Sequence, residues 1–342
     1  MRDLPARLRV GLRRAAGSVL VDGFFRGMAR VGRLHPDARP ERHNVELVRD
    51  VPYIDDGTTE HLLDIYRPRG AHAPLPVVLY VHGGSFRILS KNSHWVMGLA
   101  FARKGYLVLN INYRLAPRHP YPAALEDAAA ALRWAMSSAA CHGGDASRLV
   151  LAGESAGANL VTALALCCCY ERSEPFARLI WESGAQPRAV IPACGMLQVS
   201  DPGRFARRRR LPAWIADRME VASEAYLGPA RPSPALELAD PLVVLEQAGP
   251  PDRPLPPFLV QVGTRDPLLD DTRRLAAALA RRRVPCEAYY YPGEIHAFHA
   301  LAWRKQARRA WGHIYAFLDR HVPPASEIWG PRADQGRRGA GI

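Results

Sequence analysis

The amino-acid sequence predicts an α/β protein with one mostly parallel sheet of eight strands, flanked by helices and carrying a helical cap. Two observations support this prediction. From about residue 44, short apolar runs alternate with segments long enough to form crossover helices, which parallel strands require. The middle runs are apolar at almost every position, as expected for strands that helices cover on both faces.

The predicted strands are short and lie between helical segments of 10 to 18 residues. The first two look like antiparallel edge strands, and the later ones look like buried parallel strands. The predicted strands cover residues 45–48, 61–66, 76–81, 106–111, 149–152, 189–192, 258–262 and 286–291. The predicted helices cover residues 95–104, 123–137, 156–170, 269–283 and 301–318.

The chain of 342 residues slightly exceeds the size at which a single core stops growing, which favours one core with an added cap. We assign residues 44–195 and 236–322 to the core, and residues 1–43 and 196–235 to the cap. Residues 196–235 interrupt the strand and helix alternation with an arginine run at 207–210 and an aromatic-bearing helical piece. Residues 323–342 lack apolar periodicity and predict a flexible tail.

The net charge of +13 raises the question of nucleic acid or an anionic membrane as partner. Apart from the run at 207–210 the basic residues are dispersed, and no nucleic-acid-binding motif accompanies them, so we expect no nucleic-acid partner. The arginine-rich first 33 residues predict an amphipathic helix packed in the cap. Peripheral membrane contact and a targeting peptide are the alternatives. We expect a cytoplasmic protein, with a homodimer left open.

The six cysteines are interpreted as small packing residues. Three of them are consecutive at 167–169 and point in different directions on a helix, so they cannot form a disulfide framework or a tetrahedral metal site by themselves. The segment around His296 and His299 lacks the histidine spacing of a zinc-protease helix. We therefore predict neither a metal nor a cofactor.

The central motif is Gly153-Glu154-Ser155-Ala156-Gly157, which lies between a predicted strand and a predicted helix. A serine at such a turn is typical of a nucleophile elbow, where flanking glycines relieve crowding and expose the hydroxyl. A serine hydroxyl is a weak nucleophile unless a base takes its proton, so a histidine must complete the site.

The acid and the base follow in the order that α/β hydrolases use. Asp266 lies in the loop after the strand at 258–262, and His296 lies in the loop after the strand at 286–291. The carboxyl ends of parallel strands meet at one edge of a sheet. We therefore predict that Ser155, Asp266 and His296 form a catalytic triad.

Acyl transfer also needs backbone N–H groups directed at the oxygen of the tetrahedral intermediate. The strand at 76–81 runs into His82-Gly83-Gly84-Ser85-Phe86, whose glycines allow the backbone to approach closely. We predict donors from Gly83, Gly84, Ser85 and Ala156, and interpret His82 as a residue that braces the loop.

Five segments resemble the hormone-sensitive-lipase family of esterases, over about residues 44 to 320. They are His82-Gly83-Gly84, Tyr113-Arg114-Leu115-Ala116-Pro117, Tyr121-Pro122-Ala123-Ala124-Leu125-Glu126-Asp127, Gly153-Glu154-Ser155-Ala156-Gly157-Ala158-Asn159-Leu160 and Asp266-Pro267-Leu268-Leu269-Asp270-Asp271. Ser85 replaces the family's usual third glycine, and Glu154 replaces the commoner aspartate. The resemblance implies the α/β-hydrolase fold, the same triad and donors, and a cap from the N-terminal helices and the 196–235 insertion.

The predicted function is that of a serine carboxylesterase that forms an acyl-enzyme, acting on small-molecule esters with short to medium acyl groups. An arylformamidase or amidase with the same triad is the first alternative. A non-catalytic ligand-binding protein on a hydrolase scaffold is the second, and the position of His296 argues against it.

Overall fold

A computed structural model of the protein describes residues 14, 17, 19, 20, 22, 23, 27, 30–208, 210–229 and 234–323. The predicted flexible tail, apart from Pro323, lies outside the described residues, as does most of the predicted N-terminal cap helix before residue 30.

All eight predicted strands form one sheet. The strands are β1 (Val45–Pro52), β2 (Leu62–Pro68), β3 (Leu75–Val81), β4 (Leu107–Ile111), β5 (Gly144–Glu154), β6 (Ala189–Ala193), β7 (Phe258–Gly263) and β8 (Cys286–Tyr291). Their order in the sheet is β1-β2-β4-β3-β5-β6-β7-β8. β1 and β2 pair antiparallel, and so do β2 and β4, whereas all the other neighbours are parallel. This confirms the predicted fold class.

The central strands are buried on both faces because their side chains alternate between two hydrophobic cores. In β3, Val77 and Leu79 contribute to one core, and Val78 and Tyr80 contribute to the other. The first core contains helices α2 (Ala123–Ser138), α3 (Ala156–Cys169) and α8 (Leu269–Arg281); the second contains α1 (Trp95–Ala102) and α9 (Lys305–His321).

The predicted helices are present, with ends that differ by a few residues. The largest difference is at the last helix, which begins at Lys305 rather than at residue 301. The N–H groups of Leu301 and Arg304 donate to the carbonyls of Phe298 and Leu301, so tight turns occupy this segment. Within the described part of the predicted core, two short helices were not predicted, α4 (Pro175–Glu182) and α7 (Pro241–Gln247), and each begins with proline at its first turn.

The segment between β6 and α7 contains helices α5 (Arg204–Arg208) and α6 (Ala213–Leu227). Tyr226 of α6 stacks on Phe86, in the loop after β3, with ring centroids 3.7 Å apart. Arg14 from the N-terminal segment lies 3.0 Å from Glu224 of α6. The N-terminal segment and the insertion therefore contact each other, and the insertion contacts the loop that carries the predicted oxyanion donors.

Hydrogen bonds and an ion pair also hold the insertion to the first turn of α8. Asp271 is fully buried, and its Oδ2 accepts the backbone N–H of Leu197 at 2.8 Å. The guanidinium of Arg204, in α5, donates to both Asp271 oxygens at 3.1 and 2.5 Å. This carboxylate joins the insertion to the helix that follows the Asp266 loop.

Among the described residues, no helix has the length and apolarity needed to cross a lipid bilayer.

The segment between β4 and α2 depends on the buried carboxylate of Asp127. Asp127 accepts the backbone N–H of Arg114 at 2.7 Å and bonds to the Arg114 guanidinium at 2.7 to 3.0 Å. His61 Nε2 lies 3.2 Å from the same carboxylate. The family-like residues at Arg114 and Asp127 therefore have a structural role.

We expect Asp127→Ala to lower the free energy of unfolding by about 2–3 kcal/mol, because Arg114 and His61 lose a buried partner. The value lies below that of a fully buried ion pair because the Arg114 side chain is 29% exposed. Urea unfolding followed by circular dichroism measures it. Glu126→Ala is the matched control: Glu126 also contacts Arg114 but is 44% exposed, and its loss should cost about 0.5 kcal/mol. Equal effects of the two substitutions would contradict this interpretation.

Candidate active site

The predicted nucleophile lies at the sharp turn between β5, which ends at Glu154, and α3, which begins at Ala156. Ser155 has φ 55° and ψ −114°, a strained conformation for a residue with a side chain. The turn packs closely on the end of β3, since a Cβ on Gly157 would lie only 2.0 Å from the Val81 carbonyl oxygen. The N–H of Ser155 donates to Ala193 at 2.9 Å, which fixes the turn to β6.

The structure brings the three predicted triad residues together. His296 Nε2 lies 3.0 Å from Ser155 Oγ, and His296 Nδ1 lies 2.9 Å from Asp266 Oδ2. Asp266 is fully buried, and its other oxygen accepts the N–H of Leu268 at 2.8 Å. The carboxylate is therefore oriented from both sides.

The loops that carry Asp266 and His296 are joined to each other. The N–H of Arg265 donates to the Glu294 carbonyl at 2.9 Å, and the N–H of Gly293 donates to the Thr264 hydroxyl at 2.8 Å. These bonds continue the parallel pairing of β7 and β8 beyond the strand ends. The distance between acid and base is thus set by backbone hydrogen bonds.

The environment of His296 changes its proton affinity. Burial lowers the pKa of His296, but the charge of the Asp266 carboxylate, together with the neighbouring Cys194, outweighs burial, so that the pKa lies well above its ordinary value of 6.5. The His296 side chain is 34% exposed, which leaves the ring accessible from the solvent side. Asp266 thus stabilises the charged form of the imidazole.

The four predicted oxyanion donors lie on two segments that meet at the elbow. A Cβ on Gly83 would lie 3.0 Å from the Glu154 carbonyl oxygen, so the loop after β3 packs on the residue before Ser155. Gly84 has φ 122° and Ser85 has φ 55°. Among the described residues, the N–H groups of Gly83, Gly84, Ser85 and Ala156 have no hydrogen-bond acceptor. Their role as oxyanion donors stays a prediction.

His82 braces this loop, in agreement with the interpretation drawn from the sequence. Burial, reinforced by His94, lowers the pKa of His82 to about 3, so the ring is neutral at physiological pH. Its Nδ1 lies 2.7 Å from the Gly83 carbonyl, which can only accept, so Nδ1 carries the proton. The ring stacks on Tyr113, whose hydroxyl donates to the His82 carbonyl at 2.9 Å.

Glu154 forms contacts that the sequence analysis did not identify. Its Oε1 lies 2.8 Å from His94 Nε2, and its Oε2 lies 2.9 Å from His299 Nε2. Burial raises the pKa of Glu154, but the two histidines outweigh burial and hold the pKa far below its ordinary value. Glu154 thus connects the elbow to the loop that carries His296, and the length of a glutamate allows it to reach both rings.

A family profile describing the alpha/beta hydrolase fold matches residues 78–300, which include the elbow, the acid and the base. The chain belongs to the alpha/beta hydrolase fold family. Within this family, it is 30% identical over 284 residues to the carboxylesterase NlhH of Mycobacterium tuberculosis, covering 81% of this chain and 82% of that protein.

Solved structures of this family agree. Esterase LipW from Mycobacterium marinum superposes with a TM-score of 0.72, at 26% identity, covering 90% of each chain. An esterase from the bacterial hormone-sensitive lipase family superposes with a TM-score of 0.64, at 28% identity, covering 82% of this chain and 85% of that one. The protein is therefore an alpha/beta hydrolase of the hormone-sensitive-lipase-like type, as the motifs predicted, and a hydrolytic enzyme.

We expect Asp266→Asn to lower the pKa of His296, because the carboxylate charge that opposes burial is removed. The pKa is measured by following the His296 ring in an NMR titration. Asp270→Asn, on the first turn of α8 where Asp270 pairs with Arg273, is the control and should leave the pKa of His296 unchanged. A His296 pKa that stays raised in Asp266→Asn would show that another group stabilises the charged ring.

Proposed function

We propose that the protein hydrolyses carboxylic esters through an acyl-enzyme formed on Ser155, with His296 as general base and Asp266 as the residue that orients it. The observation that carries the proposal is the continuous chain of contacts from Ser155 Oγ to His296 Nε2 at 3.0 Å, and from His296 Nδ1 to Asp266 Oδ2 at 2.9 Å. This arrangement matches a nucleophile, a base and an orienting acid.

In the first step, Ser155 Oγ attacks the ester carbonyl carbon while His296 Nε2 takes the hydroxyl proton. The carbonyl π electrons move to the oxygen, which the free N–H groups around Gly84 and Ala156 stabilise. The tetrahedral intermediate then collapses, the C–O bond to the alcohol breaks, and His296 gives its proton to the leaving oxygen. Asp266 stabilises the imidazolium in between, consistent with the raised pKa of His296.

In the second step, His296 removes a proton from water as the water oxygen attacks the acyl carbon. Collapse of the second tetrahedral intermediate breaks the bond to Ser155 Oγ and returns the proton to Ser155. The products are a carboxylic acid and the free enzyme. The whole cycle needs no metal ion or organic cofactor, because each proton moves through His296.

Ser155→Ala should lower kcat/KM for an aryl acetate by about 10⁴-fold, because the nucleophile is lost while binding and the oxyanion donors remain. Steady-state kinetics, corrected for the hydrolysis of the ester in the absence of enzyme, measures the loss. Ser200→Ala, which changes an exposed serine of the insertion, is the control and should retain full activity. Near wild-type turnover by Ser155→Ala would overturn the proposal.

We propose a preference for short to medium acyl groups. Phe86, the residue after Ser85, stacks on Tyr226, and both side chains are fully buried. The volume that they fill is therefore closed to an acyl chain. Family membership supports the same range. We infer that this aromatic pair bounds the space for the acyl group on the side of the donor loop.

Along a p-nitrophenyl ester series from acetyl to palmitoyl, we expect kcat/KM to be highest at the short to medium members, because longer chains meet this aromatic pair. Tyr226→Ala should shift the optimum towards longer chains, and Tyr290→Ala, at a partly exposed position on β8, serves as control. An optimum at palmitoyl in the wild-type protein would contradict the proposed range. Faster turnover of a formyl anilide than of any ester would favour the arylformamidase alternative.

A further inference from the structure

Cys194 occupies an unusual position beside the proposed triad. It follows β6 directly, has φ 40°, and donates its N–H to the Gln261 carbonyl of β7 at 2.8 Å. Its side chain is buried, with the residue 2% exposed, and its sulfur lies within 4.8 Å of a ring nitrogen of His296. The backbone bond to β7 holds this strained residue in place beside the neighbouring strand.

Three groups that bind metals meet at this point. One ligand atom each from Cys194, Asp266 and His296 lies within 4.8 Å of the others. Thiolate, carboxylate and imidazole are the ligands that Zn²⁺ uses, and their atoms stand roughly 3.5 Å apart around a tetrahedral ion. The sulfur and nitrogen donors favour zinc and cobalt over magnesium or calcium. Their separations of up to 4.8 Å exceed this spacing, so the three side chains would move towards the ion on binding.

The charge balance of this group also favours a divalent ion. Binding replaces the thiol proton of Cys194 and leaves a thiolate and a carboxylate against two positive charges, with a neutral imidazole, so the buried complex has no net charge. Asp266 Oδ1 accepts the N–H of Leu268, and Oδ2 lies 2.9 Å from His296 Nδ1, so a metal ion bound by both residues would replace the hydrogen bond between them. The exposed part of the His296 ring provides access from solvent, and water completes the coordination.

We propose that Cys194, Asp266 and His296 form an inhibitory binding site for Zn²⁺ and chemically similar divalent ions. Inhibition follows because the ion occupies one of the two ring nitrogens of His296, and catalysis needs both. Nε2 receives the proton of Ser155, and Nδ1 bonds to Asp266. This consequence rests on the proposed function, whereas the binding site itself does not. Asp266 and His296 then have two mutually exclusive states, one for the proposed proton transfer and one for metal binding.

Metal binding is measured first, on the reduced protein with Co²⁺ as the probe, because a thiolate ligand gives cobalt a charge-transfer absorption band. We expect one Co²⁺ per chain with this band in the wild-type protein, displaced by Zn²⁺. The band should disappear in Cys194→Ser and Cys194→Ala, with affinity at least tenfold weaker, since a ligand is lost. Cys286→Ser, at a half-buried cysteine of β8, is the matched control and should keep the band. An unchanged band in both Cys194 variants, or none in the wild type, would overturn the site.

Inhibition is measured next, with each variant compared with its own metal-free rate. Zn²⁺ should inhibit hydrolysis of an aryl acetate by the wild-type protein and by Cys286→Ser over the same concentrations, and a chelator should restore the rate. At least tenfold more Zn²⁺ should be needed for both Cys194 variants. Equal inhibition of all variants would overturn the inhibitory role of the site. Metal binding through Cys194 without any loss of rate would leave the site standing and contradict the assignment of His296 as base.

Discussion

The hydrogen bond between Ser155 Oγ and His296 Nε2, across 141 positions of the chain, is the contact on which the proposed chemistry depends. It exists because β5 and β8 are parallel strands of one sheet, so the loops at their carboxyl ends reach the same edge. Asp266 reaches this edge from β7, the immediate neighbour of β8. Two hydrogen bonds join the Asp266 and His296 loops, from the N–H of Arg265 to the Glu294 carbonyl and from the N–H of Gly293 to the Thr264 hydroxyl. These bonds hold the proposed acid and base at a fixed distance.

The strained elbow at Ser155 is held by what surrounds it. Its N–H is bound to β6, the glycine at 157 admits the end of β3, and the preceding Glu154 binds His94 and His299 on either side. Strain of this kind persists only where the surrounding structure over-determines the backbone. Glu154 contributes a buried charge that two histidines compensate, so the elbow, the segment before α1 and the loop of the catalytic histidine form one unit.

Much of the fold and the triad could be predicted from the sequence, because both depend on local signals. Continuous apolar runs marked the buried strands, and the ordered motifs placed Ser155, Asp266 and His296 at strand ends. Other features depend on tertiary contacts that leave no local pattern. The partners of Glu154 lie 60 residues before it and 145 after it, and nothing around Cys194 in the sequence indicates that its sulfur lies close to the His296 ring. The short helices α4 and α7 have too few residues to show periodicity, although proline at their first turns was an available signal.

The central claim is that Ser155 carries the acyl group and that His296 activates it. The most direct test is to quench the protein during turnover of an activated aryl ester, digest it, and locate the acyl group by peptide mass spectrometry. The account predicts one acyl adduct, on Ser155, that forms much more slowly in His296→Ala. An adduct on another residue, or equally fast acylation of Ser155 without the imidazole, would contradict it.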